Sequence, residues 1–154
     1  MVSERLRHCQ SRLAFFHLEV AIEGSSLVCV GHVSNVLGVR NDIERVIKMA
    51  HSQGARVAID SAQGAPHEKI FFDDLGADFL SVAAHKMGGP TGIGCLLVSK
   101  DALSEMGPFL TGGSIVKRVS LEETQFQEGY AMFETGTPRT VSYTHLTLPT
   151  ILRV

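Results

Sequence analysis

The segment from Ser26 to Ile59 constrains the fold more than any other part of the chain, because it reads as strand, helix, strand. Ile43, Val46, Ile47 and Ala50 fall at i, i+3, i+4 and i+7, so the stretch from about Asp42 to Gln53 is a helix with one apolar face. Asn41 is placed to cap its start, with Glu44 three residues on in capping-box position, and Gly54 to close its end in the left-handed conformation. Ser26–Val30 and Arg56–Ile59 are short apolar runs bounded by Gly or Asp, the pattern of buried strands, although periodicity alone leaves short helix open. Two strands joined by a helix make a right-handed, parallel βαβ unit. Asp78–Ala83 and Gly94–Val98 are further strand candidates, and Ser99–Met106 offers at most a short surface helix. Together they predict an α/β fold: a mostly parallel open sheet with flanking helices, its ligand beyond the strand tips.

Composition narrows the function classes. The chain has 154 residues, the size of one modest domain, so a two-domain enzyme would be incomplete at this length. Fourteen basic and 16 acidic side chains give a net charge of -2, and no Lys/Arg run forms a nucleic-acid footprint. No apolar stretch approaches the ~20 residues of a membrane span. Met1–Arg12 is charged and polar where a signal peptide would be apolar. Cys9, Cys29 and Cys95 form no C-x-x-C pair, which argues against a disulfide framework and a zinc site, and no His/Cys/Asp/Glu spacing suggests another metal. A cytoplasmic protein in a reducing compartment is expected. Residues 1–25 carry scattered apolar positions with no clean period, and helix is expected there.

The chemistry starts at Lys86. It follows an apolar strand, beside His85 and before Gly-rich chain, where partial desolvation would lower its pKa and make it an amine nucleophile for Schiff-base chemistry. A lone strand-end lysine is usually just solvated. Asp60 closes another strand candidate, with Gln63 three residues on. An aspartate there is more often a turn-former, but a strand-end carboxylate is also what a pyridinium nitrogen requires. Of the histidines, His51 and His67 are expected to be solvated, and His32 is open between a site-facing and a core position. Cys95 and Cys29, inside apolar strand candidates, are expected to be buried structural thiols.

Taken together, the stretches 32–38 (HVSNVLG), 59–63 (IDSAQ), 84–86 (AHK), 89–94 (GPTGIG), 112–114 (GGS) and 133–138 (FETGTP) resemble the class V aminotransferase family, and within it the cysteine desulfurase and selenocysteine lyase branch. The resemblance runs from about Leu27 to Thr140 with the motifs in the family's order. It implies the large domain of a fold-type-I enzyme dependent on pyridoxal 5'-phosphate. Lys86 matches the lysine that carries the cofactor and then acts as acid and base. Asp60 matches the carboxylate paired with the pyridine nitrogen, Gln63 the side chain that hydrogen-bonds the phenolic oxygen, and Asn35 a residue near the same ring edge. His85 matches a phosphate holder, and Thr137 a phosphate contact that reaches across a homodimer. A cysteine-like amino acid is the implied substrate, and a sulfur-acceptor protein the implied partner.

The departures are specific. Ala83 stands where the family usually has a phosphate-binding Ser or Thr, and residues 1–26 contain neither its phosphate loop nor its ring-stacking histidine. The chain is therefore expected to divide into a poorly matching segment, 1–25, part of the cofactor-binding domain, 26–140, and a non-native tail, 141–154, that resembles a translated sequencing adapter. On that division it is a piece of the parent enzyme, inactive alone. Two alternatives share its residues: an aminotransferase or other lyase of the same class, and a non-catalytic interaction domain that kept the sheet.

Overall fold

A computed structural model describes residues 21–144 of the chain. Strands β1 (Leu27–Gly31), β2 (Arg56–Asp60), β3 (Phe79–Ala83) and β4 (Gly94–Val98) form one sheet in that order. β1, β2 and β3 are parallel and β4 is antiparallel to β3. Helix α1 (Ile43–Ser52) makes the first crossover, as its apolar stripe predicts, and a single turn, α2 (Phe72–Leu75), the second. Helix α3 (Lys100–Glu105) follows β4, capped by the Ser99 hydroxyl accepting from Ala102 N–H. A separate hairpin, β5 (Val116–Val119) with β6 (Thr124–Phe126), was not visible in the sequence pattern. Among the described residues, no helix is long and apolar enough to cross a membrane. The expectations for 1–25 and 141–154 fall outside the described residues except at 21–25 and 141–144.

The core lies between α1 and one face of the sheet. Ile43, Val46, Ile47 and Ala50 are buried against Val28, Val57, Ile59 and Leu80. Fully burying a Val, Leu or Ile side chain contributes about 1.5–3 kcal/mol, so this one layer supplies most of the drive to dock the helix. The register puts Cys29 beside Ala58 and Ala58 beside Phe79 on the other face, one row from Ser81 beside Leu96. That face is open: Leu27 and Leu96 are 50% and 57% exposed, and a shallow groove of about 330 Å³ runs along it.

Three expectations change. Asp42, not Asn41, caps α1, its carboxylate accepting from Arg45 N–H at 3.1 Å. Asn41 is occupied elsewhere, since its side chain donates to the Gly31 carbonyl at 2.7 Å and pins the end of β1. Cys29 and Cys95 are exposed instead of buried, because among the described residues the sheet is covered on one face only and β4 is an edge strand. His51 is not simply solvated: its Nε2 lies 2.9 Å from Asp78 Oδ2.

Asp78 is the hub at the edge of the sheet where β2 and β3 begin. It is 6% exposed and also accepts from Arg56 Nη1 at 2.6 Å and Val57 N–H at 2.8 Å, while Arg56 reaches on to Glu105. Burial alone would raise its pKa, but the hydrogen bonds from His51, Arg56 and Val57 prevail and hold the carboxyl below its ordinary range.

Candidate active site

The parallel strands all end at the same edge, and five of the six sequence-predicted residues sit on segments leaving it. Asn35 lies exposed in the turn after β1. Asp60 is the last residue of β2, with its carboxylate on the open side. Its Oδ1 accepts from Ala62 N–H at 3.0 Å, closing the turn that carries Gln63. His85 and Lys86 lie in a 3-10 turn, Ala84–Met87, directly after β3. His85 is exposed and Lys86 half-buried. Gly88 ends this turn with φ +80, a left-handed conformation that glycine adopts without a Cβ penalty. Asp60 is therefore both a turn-former and an open carboxylate.

Two of these side chains lack partners. Gln63 Oε1 is buried without a hydrogen bond, and among the described residues Lys86 makes no hydrogen bond or ion pair. Buried polar atoms are nearly always paired, so an unpaired amide oxygen beside an open carboxylate marks a place where a polar ligand would fit. Ala83, the last residue of β3, adds no hydroxyl. Thr137 stands apart from the set, exposed in the strap after Phe133, and no hydrogen bond joins it to the others among the described residues. The strap itself is held by Gly136 N–H donating to the Gly113 carbonyl at 2.8 Å.

Sequence reasoning missed what lies behind the turn. His32 is buried, resolving its open assignment, with Nδ1 3.0 Å from the hydroxyl of Ser61. The two are far apart in sequence, and only the parallel pairing of β1 with β2 brings them together. No spacing signal could have found the contact. His67 is exposed, as expected.

Comparison with known proteins agrees with this geometry. The model of the class-V aminotransferase family matches residues 10–149, wider on both sides than the quoted motifs. A cysteine desulfurase of Haloferax volcanii is 41% identical over 128 residues, which cover 82% of this chain and 30% of that protein. The crystal structure of an Escherichia coli cysteine desulfurase, in an S-sulfonic acid form, superposes with a TM-score of 0.78 at 36% identity, covering 84% of this chain and 33% of that one. A variant of C-DES with glycine covalently linked to its PLP cofactor superposes with a TM-score of 0.73 at 25% identity, covering 82% of this chain and 34% of its own. The chain thus spans about 30% of the length of the curated relative.

Proposed function

Because this chain belongs to the class-V aminotransferase family, we propose that it is part of the large domain of a cysteine desulfurase or selenocysteine lyase. The whole enzyme would take sulfur or selenium from the amino acid and leave alanine, with pyridoxal phosphate as cofactor, in the cytoplasm. The observation that carries the reading is the gathering of Asp60, Gln63 and Lys86 at one sheet edge, with neither Gln63 Oε1 nor Lys86 partnered among the described residues. These residues fit the cofactor. When bound, it supplies an electron sink for bonds broken at the α-carbon of the substrate.

The chain's own groups then have distinct tasks. Asp60 Oδ2 has no partner among the described residues, so it can accept from a protonated ring nitrogen while Oδ1 keeps the turn closed. Gln63 would donate its amide N–H to a phenolic oxygen, with Asn35 near the same edge. The Lys86 amine holds the cofactor and moves the α-proton. His85, exposed beside it, would hold the phosphate, to which Ala83 offers no hydroxyl. Thr137 serves the partner subunit of a homodimer. Val36, Leu37, Phe109 and Leu110 are large apolar side chains left exposed on this chain, as a subunit interface would require. The sulfur passes to an acceptor protein through a cysteine outside the matched motifs.

The test is release of alanine and sulfide from L-cysteine by the purified gene-complete protein under reducing conditions. Lys86→Ala is expected to reduce turnover by about 10²–10⁴-fold, the usual contribution of a positioned acid–base group. Amino-group transfer to a keto acid without sulfide would replace this reading with an aminotransferase. Absence of both turnover and bound cofactor would leave a non-catalytic domain.

A further inference from the structure

His32 is 1% exposed, and its ring is wedged beneath the turn that follows β2. Its backbone N–H donates to the Asp60 carbonyl at 2.8 Å. Its Nδ1 lies 3.0 Å from Ser61 Oγ, and its Nε2 lies 3.3 Å from Glu68 Oε2. Glu68 is itself anchored by Arg40, whose Nε is 3.0 Å from the same oxygen. Among the described residues Nε2 makes no hydrogen bond, so the contact that ties the ring to the turn is the one between Nδ1 and the Ser61 hydroxyl. The turn is closed directly onto this ring. A Cβ at Gly64 would lie 2.2 Å from His32 Nδ1 and 2.8 Å from Ser61 Oγ.

Ser61 is fully buried, while Asp60, immediately before it, is exposed. Asp60 ends β2 on the open side, and Ser61, the first residue of the turn, is tied inward by His32 and by its own N–H donating to the Ser81 carbonyl at 2.9 Å, which fixes the backbone that carries the Asp60 side chain. We propose that His32 is a positioning residue that acts through Ser61 to aim the Asp60 carboxylate at the cofactor ring. This rests on the cofactor reading above. Misplacement by about 1 Å can cost on the order of 10²-fold in rate, so a buried anchor one residue from the carboxylate has a direct catalytic consequence.

The experiment is a pair of double-mutant cycles in the gene-complete protein, reading cofactor dissociation constant, visible absorption spectrum and kcat. His32→Ala and Ser61→Ala are each expected to weaken cofactor binding about tenfold and to shift the spectrum, as coupled neighbours do. Both effects should shrink to less than about twofold in an Asp60→Asn background, because the residue they act through is already disabled. A merely structural role would give additive losses in both backgrounds, and that result overturns the proposal. Should His32→Ala fail to fold, the Ser61→Ala cycle decides alone by the same criterion. If Asp60→Asn by itself alters neither affinity nor spectrum, the cofactor reading fails. If Asp60→Asn has its effect and the cycles are additive, only the role of His32 fails.

Discussion

Gly64 and Gly94 are glycine because of what lies against them, not because of their backbone angles. A Cβ at Gly94 would sit 2.5 Å from the Val82 carbonyl oxygen, at the point where β4 starts against β3. Backbone cannot swing away as a side chain can, so Gly94→Ala should destabilise by about 1–3 kcal/mol, read as a lower urea midpoint. Asp78 makes a prediction about acid. Its carboxyl is held below its ordinary range, so its contribution is complete above about pH 4 and is lost as pH falls through the depressed native value. Asp78→Asn should therefore flatten the acid limb of a plot of denaturation midpoint against pH; an unchanged limb would mean the hydrogen bonds to His51 and Arg56 add nothing. At this scale, residues at strand ends were legible, since Asp60 and Lys86 are marked by what precedes and follows them. Residues defined by packing were not. Cys95 reads as buried because its neighbours are apolar, and only the sheet's edge position shows otherwise.

Helix α1 shows what a periodic pattern reveals and where it stops. Its buried stripe follows from the i, i+3, i+4, i+7 spacing, and Ile47→Ala should cost about 2–5 kcal/mol by large-to-small truncation. The cap was misread because two cap-forming residues stand side by side, and sequence cannot show that Asn41 is already bonded to Gly31. Asp42→Ala should thus cost about 1 kcal/mol, measured by chemical denaturation, whereas Glu44→Ala should stay within about 0.5 kcal/mol of wild type. A loss of about 1 kcal/mol at Glu44 would restore the capping box. The β5–β6 hairpin escaped notice for the opposite reason. Lys117, Arg118 and Val119 are all exposed, so no alternation of apolar and polar residues marks the strand.

At the scale of the whole molecule, the open sheet face and the missing hydroxyl at Ala83 point the same way. The 154-residue chain alone is expected to self-associate, to bind pyridoxal phosphate weakly and to show no turnover; a monodisperse sample retaining stoichiometric cofactor through gel filtration would contradict this. If the gene-complete protein forms the proposed homodimer, mixing Lys86→Ala with Thr137→Ala subunits should regenerate some intact sites, and confirmed exchange without recovery would remove the cross-subunit role of Thr137. The order of the strands has a kinetic consequence. Each strand of the large sheet pairs with the one before it, across connections that shorten along the chain from 32–55 to 61–78 to 84–93. Loop closure therefore becomes easier as synthesis proceeds, and no strand has to wait for a later one. As the chain leaves the ribosome, the Asp60–Lys86 edge can assemble early, the open sheet face on the Asp60 side still bare and in need of shelter.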